Sequence, residues 1–178
     1  MILGLNRNSI HFISLPVLLV VVFGCQSNEK TKLPVAGNLA SSHTPSQKLR
    51  FECQYTYKDF SVDKFDGKKS LIDYKSNKMG RNYKSAITWA YNEFGLQFGG
   101  HYGLARWSNG TNSIQGVIID LIDGKIYDLP SGSLDYGYKE DSRLFIVNPP
   151  DSAGFYDTCF YCKPEAWIWN ETKRRFEK

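Results

Sequence analysis

Apolar positions along this chain fall into two regimes. Residues 10–23 form one nearly continuous apolar run, whereas beyond about residue 48 apolar and polar residues alternate in short stretches. Leu49, Phe51, Cys53, Tyr55 and Tyr57 share one face at a period of two, which predicts a strand. Asp66-Gly67 followed by two lysines marks a turn. Tyr83, Ile87, Ala90 (or Tyr91) and Phe94 recur three and four residues apart. That spacing predicts a helix over about 80–94, with Gly95 where a C-terminal cap belongs. The remainder reads as strands: 98–107, with Gly99 and Gly100 marking a bulge or close backbone approach, then the very apolar 116–122. Asp123-Gly124 predicts a tight hairpin into 125–129. A loop over 130–141 precedes a strand at 143–147, which Pro149-Pro150 stops. Ala166-Trp167-Ile168-Trp169 predicts the last full strand, with a turn at 170–172 and a short return through Phe176. One helix followed by consecutive antiparallel strands predicts an α+β domain, mainly a β-meander sheet with the helix on its N-terminal side.

The apolar run has a second meaning. It follows Arg7 with no acidic residue before Cys25, and it is shorter than the roughly 20 residues that span a bilayer. It ends at Val22-Phe23-Gly24-Cys25, after which the chain turns polar at once with Gln26-Ser27-Asn28-Glu29-Lys30. This ending resembles the lipobox of bacterial lipoproteins, although Phe23 stands where that family prefers a small residue. The resemblance implies cleavage before Cys25, a thioether-linked diacylglycerol on its sulfur and an acyl group on its new amine. Three acyl chains, at about 0.8 kcal/mol per buried methylene, would make attachment stable. The absence of Asp at position 26 implies the outer membrane for lipoproteins of this type, with the domain in the periplasm. The expected organisation is a signal over 1–24, a flexible polar tether over 25–48 and one β-rich domain over 49–178.

A second resemblance covers roughly residues 80–178. Phe98-Gly99-Gly100-His101-Tyr102, Trp107, Asp123-Gly124-Lys125 and Asp141-Ser142-Arg143-Leu144 follow the pattern of a group of small uncharacterised exported bacterial proteins. The resemblance implies a fold and no activity. The loop at 108–113 lacks the two cysteines of that group's pattern.

Charge adds little. Removing residues 1–24 lowers the net charge from +4 to +3, too mild a balance to suggest nucleic-acid binding. The basic end, Lys173-Arg174-Arg175, reads as a solvated terminus.

Few residues offer chemistry. With Cys25 lipidated, three cysteines remain, and the expected disulfide joins Cys53 to Cys159 or Cys162, stapling the first strand to the last hairpin. Cys159-Phe160-Tyr161-Cys162 also has the spacing of a redox pair, but such a thiolate needs a helix N-terminus, and Lys163-Pro164 follows instead. One close cysteine couple is half of a structural zinc site, so no metal is expected, and no cofactor motif occurs. His101 is the one histidine of the domain and the candidate general base, with Asp120 or Asp141 as partner; hydrogen-bonded structure is its competing role. Trp167 and Trp169 alternate on one strand and make a candidate binding platform, with core burial as the competing role. The expectation is a membrane-anchored envelope lipoprotein of non-enzymatic type, binding a protein or cell-wall component, with inhibitors and immunity proteins as one subclass. The alternatives are a hydrolase-like enzyme using His101 and a thiol-redox lipoprotein using Cys159 and Cys162.

Overall fold

The computed structural model describes residues 47–178. The signal expected over 1–24, the lipid site Cys25 and all but the last two residues of the expected tether lie outside the described residues.

Strand β1 (Lys48–Arg50) opens the described chain, and a 3-10 turn at Tyr57–Phe60 comes after it. Two helices come next, α1 (Lys78–Asn82) and α2 (Lys84–Phe94). The rest is strand: β2 (Tyr102–Ser108), β3 (Ile114–Asp120), β4 (Ile126–Asp128), β5 (Tyr136–Lys139), β6 (Ser142–Val147), β7 (Phe155–Asp157), β8 (Glu165–Asn170) and β9 (Arg175–Glu177). All pairings are antiparallel, and they build three sheets, ordered β1-β7, β2-β3-β4 and β5-β6-β8-β9.

This corrects the expected fold class. The described domain is a largely β fold of three sheets, with α2 its one substantial helix, and not an α+β domain on a single meander. The chain leaves the first sheet after β4, where Pro130 offers no amide to a further ladder rung. The loop then folds back, and Ile114 and Gly132 exchange backbone hydrogen bonds of 2.8 and 3.0 Å. Tyr136 pins this turn through its hydroxyl, which lies 2.9 Å from the Pro130 carbonyl and 3.0 Å from that of Ile114. Strand β5 therefore starts a new sheet.

The two larger sheets and α2 form three layers. Ile87, Ala90 and Tyr91 of α2 pack on Ala105, Val117, Ile119 and Ile126. The opposite face of the same sheet offers Tyr102, Leu104 and Ile118 to Tyr136, Phe145, Val147 and Trp169 of the four-stranded sheet. β3 is thus covered on both faces, and Val117, Ile118 and Ile119 are each 0% exposed. Each such side chain contributes about 1.5–3 kcal/mol relative to exposure.

Local expectations hold unevenly. The helix ends at Gly95, with φ +64°, but it begins only at Lys84, because Tyr83 breaks it from α1 and stacks on Trp107 at 4.2 Å. The Asp123-Gly124 hairpin forms, with Gly124 at φ +77° and its carbonyl accepting from Asp73 N–H at 2.8 Å. At 49–57, Phe51, Cys53, Tyr55 and Tyr57 are half-buried in alternation, yet only Lys48–Arg50 finds a partner strand.

Candidate functional site

His101 sits in the turn before β2. Gly99 and Gly100 take φ +57° and +85°, and their amides bond the carbonyls of Ser142 (3.1 Å) and Glu140 (2.7 Å) in the β5–β6 hairpin. A side chain at Gly100 would collide with the Asp63 carbonyl, so only glycine admits this approach. Phe98 bridges back to Tyr102, which is why the strand expected over 98–107 starts at Tyr102.

The His101 side chain is one-fifth exposed, and its Nε2 lies 3.8 Å from Asp120 Oδ2 and 3.9 Å from Glu171 Oε2. Both distances exceed a hydrogen bond. Asp120 is 1% exposed; its Oδ1 accepts from Ile122 N–H at 2.8 Å and its Oδ2 from Arg174 at 3.1 Å. Arg174 also donates to Glu171 at 3.4 Å and to the Tyr102 hydroxyl at 2.7 Å. That hydroxyl accepts in turn from Trp169 Nε1 at 2.9 Å and donates to Glu171 at 2.8 Å. One donated and two accepted bonds saturate a phenol. Burial first, and then the Glu171 carboxylate, raise the Tyr102 pKa far above the usual tyrosine range. Arg174 has its pKa raised although burial opposes this, chiefly by Tyr102 and Tyr127.

The cluster joins His101 to Asp120 as sequence allowed. Asp141 lies elsewhere, in the β5–β6 turn, where its carbonyl accepts from Val62 N–H. Sequence reasoning missed Glu171 and Arg174, reading the chain end as solvated. The available signal was the Asn170-Glu171-Thr172 turn directly after the aromatic run 166–169, which carries the residues beyond it back along that strand. Chemically the cluster is an ion-pair lock. Its one hydroxyl, that of Tyr102, is fully engaged by three hydrogen bonds. No group of three or more His, Cys, Asp or Glu among the described residues could hold a metal ion.

The expected tryptophan platform is corrected. Trp169 is 0% exposed and belongs to the core, where it meets Tyr102, Tyr127 and Phe176. Trp167 is half-buried at the margin, because β4 is only three residues long and its cover ends at Pro130. There Trp167 lines an open groove of about 440 Å³ with Tyr127, Phe176, Lys125, Arg174 and Arg175. Lys125 is paired with Asp123, Arg175 with Glu177, and Arg174 with the cluster. Arg174 stands over the Tyr127 ring at 5.8 Å and Lys178 over the Trp167 ring at 4.7 Å, so the groove presents aromatic rings partly capped by paired cations rather than a strong positive field.

The expected cross-link is also corrected. Cys159 bonds to Cys162, with Cα atoms 5.1 Å apart, and Cys53 is a free, half-buried thiol. Three-residue spacing across a turn brings Cys159 and Cys162 together locally. The pair lies in a turn before β8 and has no helix N-terminus beside it. No helix among the described residues is long and apolar enough to cross a membrane.

Comparison with known proteins found no matching family model, no similar curated protein and no similar solved structure.

Proposed function

We propose that this chain is a lipid-anchored envelope protein whose β domain is a non-enzymatic binding module for a protein or cell-wall component. The observation that carries the binding part is the groove of about 440 Å³ walled by Trp167, Tyr127 and Phe176. Aromatic walls partly capped by paired cations suit a ring-bearing polar ligand, met by stacking and hydrogen bonds. The lipobox-like Val22-Phe23-Gly24-Cys25 supports the anchor. The non-enzymatic reading is favoured because Tyr102, the hydroxyl beside His101, is saturated and held protonated. The test is cross-linking in whole envelopes and capture of the full protein. A partner or wall fragment recovered with the native chain and lost with Trp167→Ala supports the reading; equal recovery from both, or none from either, removes the groove from it.

A second reading has one observation in its favour. Cys159 and Cys162 pair with each other, as a thiol-redox lipoprotein requires. Against it stands the missing helix N-terminus, the support that a redox-active Cys-x-x-Cys pair ordinarily has for its attacking thiolate. A reduction potential below about −300 mV marks a structural disulfide and ends this reading.

A further inference from the structure

The point where the chain enters the described domain and the most exposed aromatic side chain belong to one small substructure. Gln47 is the first described residue, and its carbonyl accepts from Thr158 N–H at 3.1 Å. β1 pairs with β7, and the Cys159–Cys162 turn comes directly after β7. At its apex Phe160 is fully exposed, at 103%. Tyr161, Phe155 and Leu49 on the same unit are 38%, 37% and 42% exposed. Leu49 pairs with Tyr156 and Phe155 with Arg50, so Leu49 and Phe155 leave opposite faces of the two-stranded sheet, and the exposed apex consists of Phe160 with its neighbour Tyr161.

The apex is braced rather than loose. Cys162 N–H donates to the Cys159 carbonyl at 3.2 Å, inside the turn that the disulfide closes. Asn148, itself buried, donates to the carbonyls of Tyr161 (3.0 Å) and Lys163 (3.4 Å), tying the turn to the four-stranded sheet. A side chain held out by such a frame loses little freedom when it is buried by something else. Lys48, Arg50 and Lys163 nearly balance Asp151 and Asp157, so the attraction is apolar and not electrostatic.

We infer that the Cys159–Cys162 turn docks the domain on a lipid surface, with Phe160 seated among the headgroups and upper acyl chains. This rests on the proposed lipid anchor at Cys25. Twenty-one residues separate Cys25 from Gln47. A tether as expected from the sequence over 25–48 would, at that length, have a root-mean-square reach of roughly 25 Å and would confine the domain near the bilayer without orienting it. Confinement raises the effective concentration of the turn at the surface, so one phenylalanine suffices. Its burial supplies about a ten- to hundred-fold preference for the docked orientation.

The test uses the full chain, produced with its own export signal and reconstituted in vesicles of phosphatidylethanolamine and phosphatidylglycerol, some carrying lipids brominated near the headgroup. Phe160→Trp adds one emitter at a position with no folding role. The expected result is blue-shifted added emission that brominated lipid quenches and high salt leaves unchanged. Added emission that stays water-like and unquenched on an acylated chain overturns the docking inference alone. Intact mass on the same sample reads Cys25 acylation. An unacylated chain ends the anchor reading; quenching that persists in it still supports the docking turn, and its absence removes both.

Discussion

The guanidinium of Arg174 donates to Oδ2 of Asp120 across 3.1 Å, joining the β8–β9 turn to the end of β3. One end of this bond is nearly sealed and the other is 41% exposed. Removing the arginine leaves a buried carboxylate with one backbone partner. Arg174→Ala is expected to cost about 3 kcal/mol, the low end for breaking a buried pair, since solvent reaches the turn. Arg174→Gly loses the same bond but relieves a φ of +51°, so it should cost about 1 kcal/mol less. Urea unfolding of the two variants checks this; equal losses would show that the turn carries no backbone strain.

Trp167 and Trp169 sit two residues apart on one strand and should behave differently. Trp169→Ala empties the core and removes the indole donor of the Tyr102 hydroxyl, so a loss of about 3–5 kcal/mol is expected. Trp167→Ala, which removes a half-buried ring at the core margin, should cost about 1–2 kcal/mol and act on ligand retention as well. Thermal unfolding beside envelope capture separates the two roles.

The disulfide closes a very short loop, for which the chain-entropy model gives about 2 kcal/mol. Cys159→Ser with Cys162→Ser should lower stability by about that amount. Cys53→Ser should leave the disulfide intact. Peptide mapping without reduction should recover Cys159 linked to Cys162 and a free Cys53; a Cys53 cross-link would refute the pairing.

Glu177 titrates unusually low. Hydrogen bonds from Lys173, Asn170 and Arg175 hold its carboxyl down to about 2, below the usual 4.5. A depressed folded pKa stabilises the fold above the unfolded value and loses that contribution as pH falls from about 4.5 to about 2. Carbon-detected NMR titration should place the Glu177 midpoint near 2. Glu177→Gln should flatten the stability curve across that window.

Tyr136 shares the alkaline limit with Tyr102, whose pKa is raised further. Burial pushes its pKa up to about 12, although the Gly132 backbone and Arg106 pull the other way. The neutral phenol is the native form, so its contribution is complete below pH 10 and disappears as pH rises toward 12. Ultraviolet titration should show its phenolate appearing near 12, together with unfolding. Tyr136→Phe should remove the Tyr136 phenolate from that titration and, by freeing the Ile114 and Pro130 carbonyls, cost about 1–2 kcal/mol at neutral pH.

Patterning revealed which residues turn inward but not what they meet. The run 116–122 reads as a buried strand because both its faces are apolar, and β3 is that strand shifted two residues toward the N-terminus, over Ile114–Asp120. The hairpin at Gly124 and the cap at Gly95 were equally legible, since each needs a backbone conformation that glycine permits. Sheet membership was not legible. Period two is the same whether β5 continues the first sheet or starts another, and the deciding contact is Tyr136 to Ile114, 22 residues away. The cluster failed for a related reason: Arg174 and Asp120 are 54 residues apart, and no local spacing marks them as partners. The two tryptophans were indistinguishable because strand parity is identical for both. The length of β4, in another layer, separates them.

The strand hidden between both layers is also the segment an unfolded chain can least safely display. Val117-Ile118-Ile119 with Leu121 is β-branched or aliphatic, and Asp120 is the one charge among them. Released from α2 on one side and Trp169 on the other, such a stretch is a template for stacking with its own copies. Asp120 is then a gatekeeper as well as a lock: neutralised by Arg174 in the folded domain, it keeps its full charge in the open chain and interrupts the stack where self-association would start.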